Sequence, residues 1–388
     1  MRSSSKPRGI LVSRERWSIV RSVDVAIIGA GPAGALCAWA LARRGLDVML
    51  VGEVKNDARV GEMLSAAAVR MLALAGISSA TEVGEPVSLL RTAWGSGTAL
   101  AHWPAAWAGG PSAEAGGLRG ARVCVRPELD YCLQQEATRA GAHLHVGRVV
   151  KGFEKQKDTW QIQISHKEQL LEFRSAFLIE ATGQRARSLA WPDLHRHPVD
   201  RMVAIHAEIE RPETFREGMV VIEACREGWW YAAPSRPSHY AVVFFTDADL
   251  VAAGDTHASF AEVATRTIHI APFAERVLSS KIVSARTSIR SVLWRDRWIA
   301  IGDAAWFLDP LSGSGIHRAL ADGLAAADVV ADYLAGETMS ARAYATAKAR
   351  AFFSALKQRQ AHYAAEQRWP SSPFWLRRHT EHVTFVPQ

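Results

Sequence analysis

Apolar and polar positions fall in blocks along this chain, and the blocks predict its elements. Val23 to Ile28 is an apolar run of strand length, Leu36 to Arg44 reads as a short amphipathic helix stopped by Gly45, and Asp47 to Val51 reads as a second strand. Strand signals recur at Trp160 to Ile164 and at Phe177 to Glu180, which runs into Ala181-Thr182-Gly183. A β-rich middle follows, with Met202 to Ile209, Met219 to Glu223 and Tyr240 to Phe245. Another strand, starting at Trp298, leads through a Gly-rich loop into Ile316 to Leu334. That segment is apolar at helical spacing (Ile316, Leu320, Leu324, Ala327, Ala331, Leu334) and ends at Gly336. A last helix carries Phe352, Leu356 and Tyr363 on one face and stops before Pro370. The order predicts an α/β fold: a nucleotide-binding part at 23–190, an inserted β-sheet domain at 191–290, the second nucleotide-binding part at 291–340, and a C-terminal helix with an aromatic and Arg-rich tail at 341–388. Residues 1–22, rich in Arg and Ser, are expected to be a disordered basic extension or the product of an upstream start codon. They lack the h-region of a secretory signal.

Composition changes this picture little. Forty-eight per cent apolar residues with mixed charges describes a globular protein with ample core. The net charge of +7 favours an anionic cofactor or an acidic partner, while the spread of basic residues argues against nucleic acid. Cys37, Cys124, Cys132 and Cys225 form no C-x-x-C pair, which fits reduced thiols in a cytoplasm and neither a disulfide framework nor a metal site. Cys37, inside the first helix, is expected to be packing. The apolar stretch 23–42 contains Asp24, Pro32 and several glycines, so it is not read as a membrane span, and no other run approaches membrane length.

The chemistry begins with Gly29-Ala30-Gly31-Pro32-Ala33-Gly34, a G-x-G-x-x-G between strand and helix, followed nineteen residues after Gly34 by Glu53. Gly29 makes the tight turn, Gly31 lets the backbone approach a pyrophosphate, and Gly34 lets helix and strand pack closely. The helix N-terminus offers N–H groups and partial positive charge to that pyrophosphate. Glu53 is placed to accept from a free ribose 2′-OH, which favours FAD or NAD over NADP. The second nucleotide segment, Trp298-Ile-Ala-Ile-Gly302-Asp303 with Asp309-Pro310-Leu-Ser-Gly313-Ser-Gly315 before a helix, is again anion-binding architecture.

In this order and spacing, the fingerprint, Phe177 to Gly183, and the Gly302-Asp303 segment resemble the FAD-dependent aromatic hydroxylase and tryptophan halogenase superfamily. The resemblance covers nearly the whole chain from Val23. It implies a Rossmann-type FAD-binding domain with Asp303 on the flavin ribityl chain. Pro310, Gly313 and Gly315 would lie beside the pyrimidine end of the ring, where the following helix stabilises negative charge on reduced flavin. Pro32 and Ala33 belong to the phosphate loop. Arg126, in Val-Arg-Pro-Glu-Leu-Asp, matches the family arginine that contacts the cofactor, and Arg59 is assigned to the same site.

Three departures narrow the branch. Glu180-Ala-Thr-Gly183-Gln-Arg185 lacks the Asp-Gly element that helps single-component hydroxylases bind NADPH, and there is no second G-x-G-x-x-G, so a separate flavin reductase or exchange of free reduced flavin is expected. Halogenases carry hypohalous acid on a lysine downstream of a Gly-Glu. Gly61-Glu62 is present in ARVGEMLSAAA, yet no lysine lies between Lys55 and Lys151, and Trp229-Trp230-Tyr231-Ala-Ala-Pro234 replaces the halogenase W-x-W-x-I-P. Halogenation is therefore disfavoured. The C-terminal Tyr363-x-x-Glu366-x-Arg368-Trp369…Phe374-Trp375-x-Arg377-Arg378 reads either as an amphipathic helix with a tail docking on the FAD domain, or as a specific motif. As a motif it resembles the halogenase-like flavoproteins of cysteine tryptophylquinone biogenesis, whose known members serve lysine ε-oxidase, glycine oxidase and quinohemoprotein amine dehydrogenase precursors.

That resemblance implies a monooxygenase that uses O₂ as co-substrate, forms a flavin C4a-hydroperoxide, and hydroxylates a tryptophan of a partner enzyme precursor. Trp229, Trp230 and Tyr231 are candidates for the substrate wall, or for inter-sheet core. Glu62 is the candidate catalytic group, as proton acceptor or as a support for the flavin loop. Arg377 and Arg378 offer a docking surface for the precursor, or an ordinary solvated face. Small-molecule aromatic hydroxylation and an FAD-bearing maturation chaperone without oxygenation stay open as alternatives.

Overall fold

The computed structural model describes residues 18–53, 61–95, 120–149, 154–156, 158–166, 169–184, 194–213, 215–251, 256–276 and 280–380. Arg59, Arg185 and the ends of the chain lie outside them.

Five parallel strands form the floor of the nucleotide part, side by side in the order His143–Val146, Val48–Gly52, Ser18–Ile28, Gln169–Glu180, Trp298–Ala300. Val25, Ile27, Val48 and Leu50 are fully buried because both faces of a parallel sheet are covered. The first strand starts at Ser18, so residues 18–22 belong to it rather than to the N-terminal extension. Thr159–His166 pairs antiparallel with the early half of Gln169–Glu180 and leaves its later half to Trp298–Ala300. All three nucleotide-binding loops thus emerge at one end of the sheet.

The fingerprint helix runs Pro32–Ala42, with Pro at its first turn where no N–H partner is required. It begins earlier than the apolar spacing suggests, and it is not amphipathic. Nine of its eleven residues are buried, because the helices Arg126–Arg139 and Gly315–Leu334 enclose it against the sheet. On the opposite face of the sheet Trp160, Phe173, Trp298 and Trp306 pack with Phe352 and Leu356 of the long helix Met339–Ala364.

The middle domain is a six-stranded sheet ordered Ser280–Ser284, Met202–Glu210, His239–Asp247, Gly228–Arg236, Met219–Cys225, Leu89–Ala93. It is antiparallel except for the last pair, in which Leu89–Ala93 runs parallel to Met219–Cys225. The insertion at 191–290 is therefore incomplete as read from sequence, because one strand of this sheet comes from the earlier segment. One face packs Trp230, Phe244, Phe260 and Phe273; the other packs Trp229, Phe245, Tyr363, Phe374, Trp375 and Leu311. The C-terminal helix Pro373–Thr380 docks on this second face rather than on the nucleotide-binding sheet, with the Trp375 indole donating to the Cys225 carbonyl at 2.8 Å.

Candidate active site

The turn between the first strand and the fingerprint helix is fixed from both sides. Gly29 N donates to Val51 O at 2.8 Å, and Ala181 N donates to Ile28 O at 2.8 Å. Gly29 has φ +113°, and a Cβ there would overlap the Ala181 carbonyl oxygen. A Cβ on Gly34 would overlap the Gly29 carbonyl oxygen, so this glycine is required by close helix–strand packing. Gly31 is different: what a Cβ would meet there is Arg126 Nη2, at 3.5 Å. The first and third glycines thus serve the fold, while the second leaves open a space floored by backbone and faced by a guanidinium. That is the shape and charge a pyrophosphate needs, and the cradle fits FAD. Glu53 is exposed just beyond Gly52, where the strand passes close against Ala30.

Arg126 opens its helix, with Pro at the second position. Its guanidinium bonds Glu62 at 3.2 Å and Asp130 at 3.1 Å. Two turns further along the helix, Gln134 donates to the Ala30 carbonyl of the fingerprint turn at 2.8 Å. Gln134 was not singled out from sequence, although its i+8 spacing from Arg126 puts it on the same helix face.

The second half of the site closes over the first. Gly302 has φ +57° and sits on Ala33, whose Cβ would be 2.9 Å from an added methyl group. Asp303 pairs with Arg318 at 3.2 Å, and the Arg318 guanidinium lies 4.0 Å over the Trp306 ring. Behind this turn Arg196 donates to the carbonyls of Asp303 and Ala304, and Arg290 donates to Ala304 and to Glu180 at 2.6 Å. Burial, followed by the like charge of Arg290, pulls Arg196 down to about 10. Glu180 and Arg290 are 0% and 1% exposed, a buried ion pair at the end of the strand that leads to Thr182 and Gly183. Neither partner carries a local sequence signal. Pro310–Ser312 forms one tight turn capped by Asp309, Gly313 follows at φ +58° against the Met63 methyl, and the helix from Gly315 begins.

Glu62 and Met63 lie on the strand Gly61–Leu64, and the Tyr231 hydroxyl donates to the Gly61 carbonyl at 2.8 Å. Enclosure by the protein raises the Glu62 acid above its usual 4.5, with Asp130 and Asp303 adding to the effect and Arg126 opposing it. The side chain nevertheless keeps 38% exposure, so it faces an opening. Burial and the nearby Glu62 also raise the Tyr231 phenol.

Of the three aromatic wall candidates, only Tyr231 is in this cluster. Trp229 is 1% exposed, stacked on Phe245 at 4.0 Å, with its indole donating to the Tyr363 hydroxyl. Trp230 is fully buried on the other face of the sheet, stacked on Phe244 at 4.5 Å. Strand alternation puts neighbouring residues on opposite faces, so the three cannot share one wall. Arg377 and Arg378 are not a free docking surface either, since Arg377 bonds Asp247 and Asp249 and Arg378 bonds Asp247 at 2.8 Å. The four cysteines are unpaired, and Cys37 is fully buried as expected.

The family model described as FAD binding domain matches residues 22–359 of the sequence. The chain belongs to that family. Within this FAD-binding family it is 26% identical to an FAD-dependent oxidoreductase named LodB from Marinomonas mediterranea, over 93% of this chain and 98% of that protein. The solved myxobacterial chondrochloren halogenase CndH has the same fold, with a TM-score of 0.78 at 20% identity over 94% of this chain and 87% of that one. So does QhpG, described as a peptidyl tryptophan dihydroxylase essential for tryptophylquinone cofactor biogenesis, with a TM-score of 0.71 at 21% identity over 95% and 82% of the two chains. The protein is thus an FAD-dependent oxidoreductase, with the fold shared by the solved halogenase and dihydroxylase. Among the described residues no helix is long and apolar enough to cross a membrane.

Proposed function

We propose that this flavoprotein is a monooxygenase that hydroxylates a tryptophan within the polypeptide of a partner enzyme precursor, during formation of a tryptophylquinone cofactor. The reading rests on one combination: a candidate FAD cradle flanked by Glu62, Met63, Arg126 and Tyr231, and a stretch with no lysine between Lys55 and Lys151. Its likeness to LodB across nearly the full length of both proteins supports the branch, and the architecture shared with the peptidyl tryptophan dihydroxylase is compatible with it. The halogenase folds argue nothing against it, since likeness at that identity concerns architecture, and the ammonium group that halogen transfer needs is absent from the stretch.

Bound FAD, once reduced, supplies oxygen activation. The chain's own residues do the rest. The cradle fixes the cofactor, Tyr231 and Met63 bound the substrate side, and Glu62 accepts the proton that leaves the indole carbon when the new C–O bond forms. The raised acid of Glu62 moves it toward the range where a general base is effective, and Arg126 opposes that rise and orients the carboxylate. Overall, O₂ and two electrons deliver one oxygen atom to the indole and one to water. The electrons come from a separate reductase or from free reduced flavin, as the missing Asp-Gly element suggests.

The test is incubation of the photoreduced protein with the unmodified precursor under oxygen-18 gas, followed by intact and peptide masses. One labelled oxygen on one tryptophan is the expected result. Binding without oxygen transfer, despite flavin reoxidation, would replace the reading with a maturation chaperone. Labelling of small aromatics alone would make the protein a small-molecule hydroxylase.

A further inference from the structure

We infer that Arg359 and Tyr363, on the last turns of the long helix Met339–Ala364, are positioning residues for the cofactor loop Pro310–Gly315. The inference rests on that loop facing the flavin, and it is independent of what the enzyme oxidises.

Arg359 is 3% exposed and ties two buried carboxylates together: Nη2 meets Asp200 Oδ2 at 2.6 Å, and Nε meets Asp309 Oδ2. Each carboxylate in turn holds backbone. The other oxygen of Asp200 accepts from Met202 N and Thr287 N, both at 3.1 Å. Those two amides lie at the start of the strand Met202–Glu210 and just after the strand Ser280–Ser284. The other oxygen of Asp309 accepts from Leu311 N at 3.3 Å inside the cofactor loop, and Asp309 N donates to Thr287 Oγ1 at 3.4 Å. One guanidinium therefore joins the entry to Met202–Glu210 and the exit from Ser280–Ser284 to the loop.

Tyr363 adds a second tie. Its hydroxyl donates to Asp309 Oδ2 at 3.0 Å and accepts from the Trp229 indole at 3.0 Å, so the loop is also bonded to the face of the middle sheet. The Arg359 and Arg378 guanidinium groups lie over the phenol ring at 4.9 and 5.2 Å from its centre. With both oxygens of Asp309 engaged, the carboxylate cannot rotate, and the turn it caps is fixed with it. Charged groups buried this deeply seldom stabilise more than well-packed apolar residues would. What they add here is direction, because each bond has a required geometry and each ends on a segment that must be placed relative to the cofactor.

The experiment uses the full chain with FAD and compares Tyr363→Phe and Arg359→Lys with Glu223→Gln. Glu223 is a buried carboxylate that holds the turn Ile268–Ile270 on the far side of the middle sheet, and it serves as a matched control for lost stability. The readouts are the FAD dissociation constant and the visible circular dichroism of bound flavin. In Tyr363→Phe the dissociation constant is expected to rise about tenfold, the worth of one hydrogen bond to a charged group, and the flavin dichroism to change. Arg359→Lys, which keeps the charge but cannot span both carboxylates, should shift both readouts in the same direction. Glu223→Gln should melt earlier and leave both unmoved. If Tyr363→Phe folds and matches the wild type in affinity and dichroism, Tyr363 is structural only and the inference falls; should Arg359→Lys fail to fold, Tyr363→Phe alone decides. A wild-type chain that does not bind FAD would overturn the cofactor reading itself, and the inference with it.

Discussion

Replacing Glu180 with Ala removes the carboxylate that neutralises Arg290 where both side chains are essentially inaccessible, at 0% and 1% exposure. The guanidinium loses a 2.6 Å partner, and the Trp298 indole, bonded to the other carboxylate oxygen at 3.2 Å, loses its acceptor. Breaking a buried pair from one side costs about 3–5 kcal/mol, because the desolvated charge that remains loses its carboxylate. With an unfolding entropy of about 2.1 cal/mol/K per residue, a chain of this length should melt roughly 4–6 °C lower. Differential scanning calorimetry on the apoprotein measures that shift directly. The decisive comparison is the double variant Glu180→Met with Arg290→Met, which removes both charges and fills the space. It should recover most of the loss, to within about 1 kcal/mol of the wild type. The Ala304 carbonyl keeps a donor in that variant, since Arg196 also reaches it at 2.9 Å. A single variant melting within a degree of the wild type, or a double variant no better than the single, would refute the account of this pair.

Other consequences are as concrete. Gly34→Ala should misfold or aggregate, since its methyl group overlaps the Gly29 carbonyl oxygen, whereas Gly31→Ala should melt like the wild-type apoprotein yet bind FAD about 100-fold more weakly, ~2.7 kcal/mol, by obstructing the pyrophosphate. Equal FAD affinity in Gly31→Ala, by fluorescence titration, would remove Gly31 from the cofactor site. Because enclosure raises Glu62 above 4.5, the folded state holds that proton more tightly than the unfolded chain. Its contribution to stability is full below pH 4.5 and is lost as pH climbs through the raised value. Glu62→Gln should flatten that limb of a stability–pH curve and also abolish the acidic limb of the hydroxylation profile, which rises as the carboxylate ionises. Trp230→Ala should cost about 3–5 kcal/mol by chemical denaturation, as other large core truncations do, and leave the flavin spectrum unchanged.

The candidate cofactor site was legible where its parts are contiguous. Strand, turn and helix around Gly29–Gly34 follow one another directly, and each glycine's role depends on neighbours within a few residues or on the adjacent strand. Glu180, Arg290 and Arg196 were not legible, because each has meaning only through partners brought from distant segments. The same holds for Asp200 with Arg359. Leu89–Ala93 was missed for another reason: it is five residues with an Arg at its centre, too short and too mixed to show alternation. Trp229, Trp230 and Tyr231 show the limit of reading composition without period, since three adjacent aromatics in a strand divide between two faces. The fingerprint helix was taken for an amphipathic one because a single sequence does not reveal how many neighbours will cover it.

The strand Leu89–Ala93 completes the middle sheet from a point in the chain far ahead of Met219–Cys225, its partner. Likewise the first strand pairs with Gln169–Glu180, and that in turn with Trp298–Ala300. Synthesis therefore delivers one half of each ladder long before the other, and the nascent chain carries open β-edges that only later residues close. High contact order of this kind slows folding and leaves those edges available to other chains. Yield of active protein should then depend on growth temperature and chaperone supply more than on the stability of the finished molecule, and a fragment ending before Trp298 should associate with itself rather than fold.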